Sequence, residues 1–201
     1  MTKIKLCGLS RACDIEAANE LQPEYIGFVF APKSRRYVSP AMAMELKKLL
    51  APGIKAVGVF VNESPETVAE LLHRGVIDLA QLHSRENAAY IRFLQTLTAK
   101  PVIQASLIQT QRDIILADNS PADYVLLDSG SGTGRTFDWS LVSNMKKPYC
   151  LAGGLSPENV ADAVTMLHPF AVDVSSGIET DGKKDRAKMA AFVAAVRDTA
   201  Y

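Results

Sequence analysis

Leu151-Ala152-Gly153-Gly154 and, further along, Asp173-Val174-Ser175-Ser176-Gly177 point most directly to the architecture of this chain. Each is a short apolar run that breaks into small residues and opens toward a helix-like segment. Small residues at a strand end let backbone N–H groups approach an anion closely, and a following helix terminus adds partial positive charge. Two such loops side by side, at the last two strand ends of a closed sheet, form the phosphate site common to (β/α)8 barrels. Gly153, Gly154, Ser175, Ser176 and Gly177 are therefore the expected phosphate-binding residues.

Outward from these loops, β-rich runs alternate with longer helical stretches along the whole chain. Strands are expected over residues 3–6, 25–30, 54–61, 79–83, 101–106, 124–128, 149–152 and 170–174. Helical segments lie between them. In 64–74, Val68, Leu71 and Leu72 form one apolar stripe; in 185–200, Met189, Phe192, Val193 and Val196 share a face. Eight strands, each followed by a helix at about 25 residues per unit, favour a closed parallel barrel over an open sheet. Ser39-Pro40, Ser64-Pro65, Ser120-Pro121 and Ser156-Pro157 each place a hydroxyl before a proline, the pattern of a capped helix start. Ser64-Pro65-Glu66-Thr67-Val68-Ala69 also resembles Ser156-Pro157-Glu158-Asn159-Val160-Ala161, half a barrel away. That reads either as two similar helix starts or as the trace of a half-barrel duplication. No linker or low-complexity tract divides the chain. The expectation is the α/β class: a (β/α)8 TIM barrel, a single domain over residues 1–201, near the lower size limit for this fold.

Composition narrows the function classes. Lys+Arg 22 against Asp+Glu 22 leaves no net charge, so no nucleic-acid footprint is expected. The longest apolar runs are too short to cross a bilayer. Met1 to Leu6 runs straight into strand-like alternation without a leader, and Cys7, Cys13 and Cys150 lack metal-ligand spacing. A cytoplasmic protein with reduced thiols is expected.

In such a barrel, side chains at the carboxyl ends of the strands line the active site. Those positions give Cys7, Arg36, His83, Asp128 and Asp173 beside the two phosphate loops. Cys7 ends the first strand and faces the mouth, where a site that lowers its pKa makes it a base or nucleophile; elsewhere a free cysteine is a small buried hydrophobe. Asp128 follows Val125-Leu126-Leu127 and leads into a Gly/Ser loop, residues 129–134, that could fold over a ligand. Partial desolvation is expected to raise its pKa and make it a general acid, against the simpler reading of a turn residue. Residues 31–37 carry three cations; one guanidinium aimed inward would hold a carboxylate by a planar two-point contact, whereas a plain basic loop would be solvated surface. His83 reads equally as a structural imidazole or a catalyst.

Taken together these segments resemble the phosphoribosylanthranilate isomerases of tryptophan biosynthesis. The matching pieces are Lys3-Ile4-Lys5-Leu6-Cys7-Gly8-Leu9, Gly27-Phe28-Val29-Phe30 with Ser34-Arg35-Arg36-Tyr37, and Val57-Gly58-Val59-Phe60-Val61-Asn62. They continue through Gln81-Leu82-His83, Leu126-Leu127-Asp128 and Gly134-Arg135-Thr136-Phe137-Asp138-Trp139. The last are Gly153-Gly154-Leu155 with Pro157-Glu158-Asn159-Val160, and Val172-Asp173-Val174-Ser175-Ser176-Gly177. The order holds along nearly the whole chain. The resemblance implies an Amadori rearrangement of a phosphosugar without metal or cofactor. It implies Cys7 as general base, Asp128 as general acid, and Arg36 on the anthranilate carboxylate. Asp173, His83 and Gln81 are implied substrate contacts, Asp173 either touching a ribose hydroxyl or ordering its loop. A monomer and a homodimer both remain open.

Three departures from the family pattern stand out. Ser84 replaces the usual glycine after Gln-Leu-His and is expected to cap the next helix. Gln104 stands where a lysine is frequent on the fifth strand and is expected to alter charge around the mouth. The loop 129–134 is short. Two other readings stay open: a phosphosugar-binding barrel without turnover, and a dual-substrate isomerase that also serves histidine synthesis. The related histidine-pathway enzyme uses aspartates in both roles, and Cys7 argues against identity with it.

Overall fold

The computed structural model describes residues 1–130, 137–142 and 145–199. Eight parallel strands form a closed barrel in sequence order: β1 (Lys3–Cys7), β2 (Tyr25–Val29), β3 (Lys55–Phe60), β4 (Leu79–Leu82), β5 (Val102–Leu107), β6 (Tyr124–Asp128), β7 (Tyr149–Leu151) and β8 (Ala171–Val174). β8 pairs with β1 in the register Ile4↔Val172 and Lys5↔Asp173, which closes the cylinder. Every expected strand is present within a residue or two of its bounds.

The period-two alternation of each strand sorts the side chains into two cores. Ile4, Leu6, Ile26, Phe28, Val125, Leu127 and Val172 point outward and pack under the helices in the main apolar core. Val57, Leu79, Ile103, Leu126, Cys150 and Ala171 point inward and fill the barrel. Tyr124 stacks on Phe170 at 4.9 Å between ring centroids, beside this inner layer. The barrel interior is thereby packed toward its base, and the large opening among the described residues lies at the carboxyl end of the strands.

Helices α1 (Ala12–Leu21), α2 (Pro40–Lys48), α3 (Pro65–His73), α4 (Ala88–Leu97) and α5 (Gln111–Asp118) follow β1 to β5; α6 (Val160–Leu167) follows β7 and α7 (Arg186–Arg197) follows β8. After β6 the described residues contain a 3-10 turn, Trp139–Val142, in place of the eighth helix. The stripes expected on α3 and α7 are buried: Val68, Leu71 and Leu72 on one, Met189, Phe192, Val193 and Val196 on the other. α7 packs on α1 and α6 and completes the outer ring. No helix among the described residues is long and apolar enough to cross a membrane.

Two of the four Ser-Pro pairs start helices. Ser39 Oγ accepts from the Met42 amide and Ser64 Oγ from the Thr67 amide, with proline at the first helical position. Ser120 instead sits in the connection before β6, its hydroxyl donating to Gln104 Oε1 at 2.6 Å. Ser156 opens a turn, and the α6 cap position falls on Asn159. The resemblance between residues 64–69 and 156–161 is thus one helix start and one pre-helical turn. Ser84 does not cap α4 either: Asn87 does, its Oδ1 accepting from the Tyr90 amide at 3.0 Å. Gln104 faces the helix layer, donating to the Glu86 carbonyl at 3.0 Å, so it places nothing at the mouth.

Candidate active site

A cavity of about 600 Å³ opens at the carboxyl end of the barrel. It gathers Cys7, Arg36, Gln81, His83, Asp128, Asp173 and the loop residues Gly153, Gly154, Ser175 and Ser176. These come from the ends of several different strands and connections, which only a closed barrel brings to one place. Gly177 is the exception among the expected residues. It lies in a 3-10 turn, Ser176–Ile178, against the Leu155 carbonyl, where it lets the two phosphate loops pack on each other.

Beyond the phosphate loops the chain departs from expectation. The loop after β8 enters that 3-10 turn and then a small antiparallel hairpin, β9 (Glu179–Thr180) with β10 (Lys183–Lys184), before α7 begins. Its donors are loop and turn amides, and the α7 terminus lies beyond the hairpin. In the other loop, Gly153 and Gly154 hold φ of +81° and +68°. Asn159 braces that loop, donating to the Gly154 carbonyl at 2.9 Å and accepting from the Ser156 amide at 2.9 Å.

Cys7 is buried at the end of β1, two positions from Lys5 and on the same face. Lys5 is 2% exposed and its Nζ lies 2.8 Å from Asp173 Oδ1. Burial alone would lower the Lys5 pKa, but the negative charges of Asp173 and Cys7 raise it above 10.5. For Cys7, burial dominates and pushes the thiol above its ordinary 9.0; Lys5 and Lys184 pull the other way without overcoming it. Of the two surroundings weighed from sequence, the free site therefore does not supply the one that lowers the thiol.

Asp128 also departs from expectation. Burial would raise it, but the His83 imidazole, the Gly130 amide and the Lys5 charge outweigh that, so the carboxyl sits below its ordinary 3.8. The Gly130 amide donates to Asp128 Oδ1 at 2.9 Å. His83 Nε2 is 3.5 Å from Asp128 Oδ2, and Gln81 Nε2 is 3.0 Å from His83 Nδ1. With the Gln81 amide donating to Nδ1, the imidazole proton sits on Nε2, facing the carboxylate. Gln81 Oε1 is buried without a hydrogen-bond partner among the described residues. Most of the loop that could fold over a ligand, residues 131–134 of 129–134, lies outside the described residues, as does the motif segment 134–136.

Arg36 reaches the cavity as expected, but its side chain is already paired. Arg36 Nε donates to Glu179 Oε1 at 2.6 Å and Nη2 to Oε2 at 2.9 Å. Sequence reading missed Lys5, Glu179 and Lys184. For Lys5 the signal was available: a residue two before an inward Cys7 must also face inward. Glu179 and Lys184 come after the phosphate motif in a hairpin without apolar periodicity, so nothing local marked them. An apolar wall of Val29, Val59 and Val61, at the ends of β2 and β3, completes the mouth.

With this geometry in view, the chain can be set beside known proteins. Residues 4–195 match the family model of N-(5'phosphoribosyl)anthranilate (PRA) isomerase. An N-(5'-phosphoribosyl)anthranilate isomerase of Caldanaerobacter subterraneus subsp. tengcongensis is 43% identical over 98% of this chain and 98% of its own length. The phosphoribosyl anthranilate isomerase of Thermotoga maritima, described as dimeric, superposes with a TM-score of 0.91 at 37% identity, covering 98% of this chain and 100% of that one. A solved phosphoribosyl anthranilate isomerase in complex with reduced 1-(o-carboxyphenylamino)-1-deoxyribulose 5-phosphate gives a TM-score of 0.89 at 37% identity, with 98% and 100% covered. Fold, cavity and similarity agree, and the chain belongs to the N-(5'-phosphoribosyl)anthranilate isomerase family.

Proposed function

We propose that this chain converts N-(5′-phosphoribosyl)anthranilate to 1-(2-carboxyphenylamino)-1-deoxyribulose 5-phosphate, the Amadori rearrangement of L-tryptophan biosynthesis. The observation that carries the reading is the convergence of Cys7, Asp128, Arg36 and both glycine- and serine-bearing loops on one cavity. Its volume suits a ligand of this size. The substrate has an anion at each end, a carboxylate on the ring and a phosphate on the sugar. The phosphate goes to the amides around Gly153, Gly154, Ser175 and Ser176, and the carboxylate to Arg36. The aromatic ring lies against Val29 and Val59.

Asp128 gives its proton to the furanose ring oxygen. The C1′–O bond breaks as the nitrogen lone pair forms the C1′=N bond. Cys7 thiolate then takes the proton from C2′, the C–H electron pair forms the C1′=C2′ bond, and the C1′=N π pair returns to nitrogen to leave an enolamine. Protonation at C1′ and loss of the C2′ hydroxyl proton give the ketone. Atoms and electrons balance, with no outside oxidant or reductant. Each positioned proton transfer contributes about 10²–10⁴ in rate.

The free site holds the pair in the reverse state, thiol and carboxylate, because the Cys7 pKa is raised and that of Asp128 lowered. The working state, thiolate and carboxylic acid, contains the same number of protons. Substrate binding brings anionic charge and expels water, which favour protonated Asp128 but raise the thiol as well, so the Cys7 thiolate depends on the Lys5 cation. Lys5, raised by the anions around it, stays charged throughout and supports the thiolate. Asp173 is engaged by Lys5, which favours its role in ordering the site over a direct sugar contact.

The three unpaired thiols fit action in the cytoplasm, as a monomer or a homodimer. The test monitors the fluorescence of the anthranilate moiety as purified protein meets freshly prepared phosphoribosylanthranilate, with Cys7→Ala alongside. Turnover that Cys7→Ala abolishes is the expected result. Turnover indifferent to Cys7→Ala would keep the reaction and remove the base. Saturable binding without turnover in the wild type would instead make this a phosphosugar-binding barrel.

A further inference from the structure

Glu179 stands outside the cavity wall, yet its carboxylate accepts four hydrogen bonds from three cationic side chains. Its side chain is 4% exposed. Arg36 Nε and Lys184 Nζ donate to Oε1 at 2.6 and 2.7 Å; Arg35 Nη2 and Arg36 Nη2 donate to Oε2 at 2.8 and 2.9 Å. A carboxylate offers about four lone-pair positions, and here all are used. Three cations around one anion leave the cluster net positive.

The geometry of the Arg36 contact is selective. Glu179 takes the Nε–Nη2 edge of the guanidinium as a two-point fork. The Nη1–Nη2 edge is left, and it is the other edge capable of planar two-point recognition of a carboxylate. A long arginine side chain has rotamer freedom that costs affinity when a ligand must freeze it. Holding one edge in advance removes that cost and leaves a single direction for the other.

The same carboxylate also reaches the phosphate end. Lys184 Nζ, shared with Glu179, donates to the Ser175 carbonyl at 2.8 Å and lies 3.3 Å from Ser175 Oγ. Ser175 Oγ in turn donates to the Cys7 carbonyl at 3.1 Å. One buried network therefore joins the loop after β2, the loop after β8 and the end of β1.

We infer that Glu179 is a positioning residue for substrate binding: it presents the free edge of Arg36 to the carboxylate. This rests on the isomerase reading above, through the assignment of Arg36 to the substrate carboxylate. A carboxylate that merely stapled the β9–β10 hairpin would affect folding and leave the action of Arg36 intact.

The test is the binding of reduced 1-(o-carboxyphenylamino)-1-deoxyribulose 5-phosphate, by calorimetry, to wild type, Glu179→Gln, Glu179→Asp, Arg36→Ala and Glu179→Gln/Arg36→Ala. Glu179→Gln keeps the shape and loses the charge; Glu179→Asp keeps the charge and withdraws the fork, and remains informative should the glutamine variant not fold. Each single variant is expected to weaken binding on the order of tenfold or more. The double variant is expected to bind within about threefold of Arg36→Ala alone, because Glu179 acts through Arg36. Singles at position 179 that bind like wild type, or losses that multiply in the double variant, would overturn the inference while leaving the substrate reading intact. Failure of the wild type to bind would sink the substrate reading itself, and this inference with it.

Discussion

Lys5 Nζ sits 2.8 Å from Asp173 Oδ1 across the seam where β8 closes onto β1, and both side chains are buried inside the barrel. Removing one member of such a pair strands the other charge, which costs about 3–5 kcal/mol, whereas replacing both by apolar groups is close to neutral. Lys5→Met is thus expected to lose most of that range, and Lys5→Met/Asp173→Leu to recover much of it, in urea titrations. A double variant as unstable as the single would show that the stranded charge is not the source of the Lys5→Met loss. The sign of the pH dependence comes from the raised Lys5 pKa. Its contribution is whole below pH 10.5 and is lost only as pH rises through the higher folded value.

Cys7 reports its own environment. In a Cys13→Ser background, which removes the exposed thiol, iodoacetamide labelling of the free protein should track the thiolate fraction. Burial pushes Cys7 above 9.0, so the labelling midpoint is expected above that value. A midpoint at or below 9.0 would mean that Lys5 and Lys184 outweigh burial even without substrate.

Much of this site was legible in the sequence because barrel geometry turns strand ends into site positions. Cys7, Asp128 and the 153–154 and 175–176 loops were found that way, and each lines the cavity. The charge balance was beyond the reach of sequence. Asp128 was expected to rise because desolvation is visible from its place after an apolar strand; the opposing His83 and Gly130 contacts come from another strand and from loop geometry. Gln104 was misplaced by one step of the pleat, since position 103 faces inward and 104 outward. Ser120-Pro121 and Ser156-Pro157 carry the composition of helix starts but lack a helix immediately behind them, so local chemistry alone misreads them.

Asp128→Asn keeps the size of the side chain and its acceptor toward the Gly130 amide but has no acidic proton to give. Its expected signature is a fall in kcat of about 10²–10⁴ with little change in affinity for the reduced product analogue. Arg36→Ala should do the converse, raising KM more than it lowers kcat. Equal effects of the two on kcat and on binding would mean that neither role is assigned correctly.

Glu179 predicts an acid limb in stability. Burial would raise its pKa, but Arg36 and Lys184 bring it from 4.5 down to about 2. A lowered carboxyl contributes stability above its unfolded value and loses it as pH falls through the folded one. The wild-type advantage over Glu179→Gln should be constant above pH 4.5 and fade toward pH 2. An advantage that persists at pH 2 would detach it from ionisation.

Gly153 separates backbone strain from damage to the acid. At φ of +81° any side chain is strained, and a Cβ there would also press on Ser129 and come within 2.8 Å of Asp128 Oδ1. Gly75 has φ of +70° with nothing within 4 Å of a Cβ, at the end of the α3 connection and away from the cavity. Both alanine variants should lose about 1–2 kcal/mol from the left-handed backbone, seen as a fall in Tm of a few degrees, with a further loss in Gly153→Ala because its Cβ would collide with the Ser129 backbone. Only Gly153→Ala should also move Asp128, and a displacement near 1 Å costs about 10²-fold in rate. Gly75→Ala should therefore keep its kcat while Gly153→Ala loses most of it. Equal activity in the two would mean that Asp128 tolerates displacement, and that its position next to Gly153 does not limit proton transfer to the ring oxygen.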